Sequence, residues 1–193
     1  VNGILALHDS GDLHCACPDY AIIAHSGYTG SAPDYIHMAA TGYAIVAAYV
    51  WRNLVRKMMN AAAIDPLRIA SAVRSGTTIT VTYEGGEGNP IAFDTTLISE
   101  RSGTTKGFRW LVGGVAQSIS MSITGNREIQ ITIPSGVAGD LEYAQYGHLN
   151  AATSFTSAEQ PRGNVRETVG FSTSIPGIAT LYDWAVSEKW SVA

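Results

Sequence analysis

The run Ala61-Ala62-Ala63-Ile64-Asp65-Pro66 divides the chain into two grammars, and that division most limits what the chain can fold into. Before it, Ala39, Ala40, Tyr43, Ala44, Ala47, Val50, Trp51, Leu54 and Met58 recur at three- and four-residue steps, which lays an apolar face along a helix over residues 38–60. After it the period falls to two. Residues 67–73 and 77–83 alternate as half-buried strands around Arg74-Ser75-Gly76, and further strands are expected over 91–98, 107–112, 118–123, 128–133 and 141–145. Pro66 cannot continue a helix and biases Asp65 toward extended backbone, so the boundary falls there. The sequence predicts an α+β chain: residues 1–63 as the closing part of an α/β unit, and residues 66–193 as an antiparallel β-sandwich of jelly-roll or Ig-like type.

Within the first part, residues 13–23 read as an extended segment on which the helix would pack, the last βα unit of an α/β sandwich. In the second, Thr124-Gly125-Asn126 and Pro134-Ser135-Gly136 are turn signals. Residues 146–193 lack clear periodicity, and only 181–186 read there as a closing strand. A stretch of that length without periodicity usually holds functional or partner-dependent loops.

Charge excludes some functions. A net charge of -4 with only 15% charged residues, and scattered Lys and Arg, gives no clustered cationic surface for nucleic acid or an anionic membrane. The apolar run over residues 44–51 is too short to span a bilayer, so no membrane insertion is expected. Val1-Asn2-Gly3 carries no charged leader, and the expectation is folding in a reducing cytoplasm. Cys15 and Cys17, one residue apart, cannot easily bridge, and they are expected as two thiols buried like small apolar side chains.

Asp34 and His37 stand three residues apart at the mouth of the predicted helix. An imidazole held by a carboxylate can take a proton from a nucleophile. The same two residues also suit a plain helix start, with an Asp near the N-terminus and a His bonded to it. A metal set joining His25, Asp34 and His37 or His14 has suitable residue types, but its spacing matches no standard zinc site.

Pro33-Asp34-Tyr35-Ile36-His37-Met38-Ala39-Ala40-Thr41-Gly42-Tyr43 resembles the last sequence block of the SGNH, or GDSL-type, hydrolases. The resemblance covers about 60 residues and implies an α/β/α sandwich, ester hydrolysis without a cofactor, His37 as general base and Asp34 as the residue that orients it. That family's Gly-Asp-Ser nucleophile motif and its oxyanion-hole residues are not recognisable before Asp34. Asp9-Ser10-Gly11 is superficially similar, but about two dozen residues between Ser10 and Asp34 are too few for the intervening elements. The expectation is therefore the C-terminal part of a larger hydrolase, unable to complete a triad alone.

The second part carries its own resemblance. Residues 75–83, Gly139-Asp140-Leu141-Glu142-Tyr143-Ala144 and Arg162-Gly163-Asn164-Val165-Arg166-Glu167 look like the accessory β-sandwich that follows SGNH domains in phage tail-associated esterases. This implies a virion tail spike or tail fibre, commonly a homotrimer, that deacetylates host cell-surface polysaccharide. The alternative is a non-catalytic fibre tip that recognises the same polysaccharide. Flat aromatic rings stack on the apolar face of a pyranose, and Trp110, Tyr146 and Trp184 are the candidates for sugar binding; Tyr143, Phe155, Tyr182 and Trp190 are further aromatics of the same region.

Overall fold

The change of period at Pro66 is a change of architecture. A computed structural model describes Ser10, Cys17, Pro18, residues 39–146 and residues 161–193. Among the described residues before Pro66 lies the helix α1 (Ala40–Met58). After it come the strands β1 (Arg68–Ser75), β2 (Thr78–Glu84), β3 (Ile91–Phe93), β4 (Phe108–Val112), β5 (Val115–Gln117), β6 (Ser120–Gly125), β7 (Glu128–Thr132), β8 (Gly139–Tyr143), β9 (Val165–Glu167), β10 (Phe171–Ile175), β11 (Ile178–Leu181) and β12 (Glu188–Val192).

All the pairings are antiparallel. One four-stranded sheet runs β1-β2-β7-β6 and a second runs β12-β8-β4-β5, while β3 pairs with β9 and β10 with β11. Alternation decides which side chains enter the core. In β2, Ile79, Val81 and Tyr83 point inward between outward threonines, and Ile129 and Ile131 of β7 lie beside them. Phe108 and Trp110 of β4, and Leu141 and Tyr143 of β8, join them in one continuous core that also takes Ile91 and Val165 from the β3–β9 pair. Both four-stranded sheets therefore bury their inner faces against a common interior.

Helix α1 stops earlier than the proline requires. Asn60 adopts the left-handed conformation with φ of 54°. The N–H of Ala61 then donates to the Arg56 carbonyl at 2.8 Å and that of Asn60 to the Lys57 carbonyl at 3.1 Å. That is the Schellman pattern, and it satisfies carbonyls the helix end would otherwise orphan. Arg56 and Lys57 in the last turn also oppose the negative end of the helix dipole.

The tail departs most from expectation. Residues 181–186 do not form the closing strand; beyond Leu181 only an isolated bridge joins Trp184 to Arg166. The strand that closes the second sheet is β12, paired to β8, and the tail adds β9, β10 and β11. The strand expected over 91–98 is only three residues long. It ends where the Asp94 carboxylate accepts the N–H groups of Thr96 (2.9 Å) and Leu97 (2.8 Å), which turns the chain. The extended segment expected over 13–23 lies outside the described residues except for Cys17 and Pro18, which belong to no strand.

Candidate functional site

Asp34 and His37 lie outside the described residues, as do His14, Cys15, His25 and Phe155. The continuous described stretch nearest to them begins at Ala39, and α1 opens at Ala40, three positions after His37. The helix carries two apolar faces. One holds Ile45 and Tyr49, which bury against Ile178 and Leu181 of the β10–β11 hairpin, with Cys17 packed on the same cluster. The other carries Tyr43, Val50, Trp51, Leu54 and Met58, all exposed, with Trp51 at 61%. A surface helix normally has one apolar stripe; two are what a helix between two layers needs.

Polar contacts fasten the first face. Arg52 reaches Asp183 through two hydrogen bonds and stacks 4.1 Å over the Phe171 ring. The Tyr49 hydroxyl donates to the Tyr182 carbonyl. Burial, and then the nearby Cys17 and Asp183, push the Tyr49 phenol well above its ordinary pKa, which keeps that proton in place. Asn53 Oδ1 accepts the Ile64 N–H at 2.7 Å and so ties down the chain leaving the helix. Between α1 and β10 these contacts leave a groove of about 860 Å³, lined by Ala44, Ala48, Trp51, Val55, Phe171 and Pro176, with Arg56 and Glu87 at its margin.

The aromatic candidates separate sharply. Trp110 is 0% exposed and Trp184 2%, both within the common core. Neither ring offers an open face to a sugar, so both are withdrawn as carbohydrate-binding residues. The β-period that places Trp110 on an inward position of β4 decides its fate, and the Arg166 bridge seats Trp184. Tyr143 is likewise interior, and its hydroxyl accepts the Val165 N–H at 2.9 Å. Tyr146 remains at the surface, 37% exposed, with the Arg109 guanidinium 3.8 Å and the Arg101 guanidinium 5.2 Å from its ring centre.

The Arg162–Glu167 motif is a fastening rather than a binding surface. Arg162 Nε donates to the Ser99 carbonyl at 2.7 Å. Asn164, fully buried, gives Nδ2 to the Asp94 and Ile98 carbonyls. Arg166 pairs with Asp94 at 2.7 Å and stacks on Tyr182 at 3.8 Å. The Glu167 carboxylate, also fully buried, accepts the N–H groups of Glu87, Gly88 and Asn89 and pairs with Arg127 at 2.8 Å. A buried carboxylate is tolerated when its lone pairs are met in this way. Burial opposes ionisation of Asp94, but the Leu97 N–H, the Arg166 guanidinium and the Thr96 N–H outweigh it and hold its pKa below the usual value.

Among the described residues no three His, Cys, Asp or Glu side chains come together as a metal site, and no helix is long and apolar enough to cross a membrane. No local pattern signals the Arg52–Asp183 junction or the arginines around Tyr146, because each contact joins separate segments. No family model, curated protein or solved structure matches the chain.

Proposed function

We propose that this chain is the C-terminal portion of an SGNH-type carbohydrate O-acetylesterase of a phage tail spike or tail fibre, a homo-oligomer acting on host surface polysaccharide. His37 is its general base and Asp34 the positioning residue that holds the imidazole. The remainder is an accessory β-sandwich fixed to the hydrolase by α1. The observation that carries this reading is the two-faced helix. It follows Asp34 and His37 directly, grips the β10–β11 hairpin through Tyr49 and Arg52, and keeps a second apolar face through Trp51 and Leu54 of the kind an α/β/α layer covers.

A triad also needs a serine, and no Gly-Asp-Ser motif precedes Asp34 in this sequence. The test is therefore run on the protein expressed from its complete reading frame, with acetate release from O-acetylated capsular polysaccharide as the readout. His37→Ala should lower turnover by about 10³-fold or more, the scale of losing a triad member. Unchanged acetate release in that variant would sink the reading.

A further inference from the structure

Two arginines gather on the ring of Tyr146 at the surface. Arg109 projects from β4 and Arg101 from the turn before it, and both guanidinium groups lie over the Tyr146 ring, at 3.8 and 5.2 Å. Arg162 sits close enough to Arg101 that burial first, and then that like charge, lowers its pKa. Among the described residues no carboxylate pairs with Arg101, and Arg109 reaches only Glu142, at 3.6 Å, which is shared with Lys189 at 3.7 Å. Adjacent like charges are costly, and an anion bound beside the two guanidinium groups relieves that cost.

The ring itself is held for contact. Gly103, with φ of 80°, brings its backbone so close that an added Cβ would stand 3.0 Å from Tyr146 Cε1, so the 101–104 turn braces one edge. The ring remains 37% exposed. An amphipathic ring beside forked guanidinium donors matches a sugar that carries a carboxylate. The pyranose meets the aromatic edge and face, and the acid meets the fork, which fits planar oxyanions two bonds at a time.

From this juxtaposition of Tyr146 with Arg101 and Arg109 we infer that the protein binds an acidic sugar residue, a hexuronate, of its polysaccharide at this surface. The inference rests on the carbohydrate part of the proposed function, but not on catalysis. It requires neither Asp34 nor His37.

Binding is measured by calorimetry with a tetrasaccharide of alternating glucuronate and N-acetylglucosamine, its carboxyl-reduced neutral counterpart, and inorganic phosphate. The acidic tetrasaccharide should bind at least about tenfold more tightly than the neutral one, the scale of a lost charge-assisted pair. Arg101→Gln should remove that preference and leave the neutral ligand unchanged, Tyr146→Ala should weaken both, and Arg109→Lys should lose part of the preference while keeping the charge. Thermal midpoints of the variants confirm that each is folded. Equal affinity for the acidic and neutral sugars, no effect of Arg101→Gln, or no binding at millimolar concentration would overturn the inference. Phosphate competing as well as the acidic sugar would overturn it too, by showing a bare anion site. A protein that shows the acidic preference but releases no acetate loses the esterase reading and keeps this one.

Discussion

Arg52 on α1 and Asp183 beyond β11, 131 residues apart in sequence, meet in a two-pronged pair with Nη2–Oδ1 at 2.5 Å and Nη1–Oδ2 at 3.0 Å. Both side chains are nearly closed to solvent, 11% and 7% exposed. At that burial the pair is costly to form and costlier to break on one side. Stacking on Phe171 lets the guanidinium keep a partner on its face as well as its edge.

Removing one partner strands the other. Asp183→Ala should destabilise the protein by about 3 kcal/mol in urea unfolding, and Arg52→Met by a similar amount. The double variant should cost clearly less than the sum, because the second change removes the stranded charge. Amide exchange along α1 should accelerate in both single variants. Strictly additive losses would mean the pair is not coupled.

Glu167 organises the loop between β2 and β3 from a distance. Its carboxylate collects three backbone N–H groups, the Asn89 amide at 3.1 Å and Arg127. Glu167→Ala leaves those donors and a guanidinium without an acceptor, and the expected cost is about 3 kcal/mol. Glu167→Gln keeps one oxygen and should cost about half as much. The check is amide exchange at Gly88 and Asn89, which should rise more in the Ala variant than in the Gln variant; equal protection in all three proteins would contradict it.

Sequence made the helix and the first strands legible because their periods are local. Ile79, Val81 and Tyr83 announce an inward face by alternation; the helix is legible by its step, but the face expected to pack, with Tyr43, Val50, Trp51, Leu54 and Met58, is exposed, and Ile45 and Tyr49 are buried instead. The tail was not legible, since β9 and β11 are three and four residues long and are stabilised by partners far away, Ile91–Phe93 for β9 and the α1 packing for β11. Trp110 and Trp184 misled for a related reason. Residue type alone cannot tell a core indole from a stacking platform, whereas the inward position of Trp110 on β4 does. Of the candidate site, the Asp34 and His37 spacing was visible in the sequence, while the gathering of Arg101 and Arg109 on Tyr146 is a product of tertiary structure.

Two carboxylates should give opposite pH dependence. Burial raises the Glu188 pKa, against the opposing hydrogen bonds from Trp190 Nε1 and the Ile69 N–H. The folded state then binds more proton than the unfolded state, so Glu188 lowers stability as pH rises from the unfolded carboxylate value of about 4.3 through its higher folded value. Asp94 is depressed. Its contribution is complete above the unfolded value of about 3.9 and is lost as pH falls through its lower folded value. In denaturant titrations across pH, Glu188→Gln should gain on the wild type as pH rises above about 4, and Asp94→Asn should gain on it only as pH falls below about 4. The same slope in variant and wild type would refute the assignment for that group.

Gly163 sits where no side chain fits. An added Cβ would overlap the Tyr143 hydroxyl, and Gly163 also packs against the backbone of Gly107. The hydroxyl cannot simply withdraw, because it accepts the Val165 N–H and its ring is wedged 4.7 Å from that of Phe108 in the common core. Gly163→Ala should therefore cost about 3 kcal/mol, the upper range for an overpacked interior. Tyr143→Phe removes the oxygen, and with it the Val165 acceptor, and should cost about 1–3 kcal/mol by itself. An added Cβ would also overlap the ring carbon Cζ of Tyr143, which Phe retains, so the loss in the double variant Gly163→Ala/Tyr143→Phe should stay close to that of Gly163→Ala plus the lost Val165 acceptor. Urea unfolding of the four proteins measures this directly. If Gly163→Ala unfolds at the wild-type midpoint, the close approach of residues 163 and 143 is not a constraint on the fold.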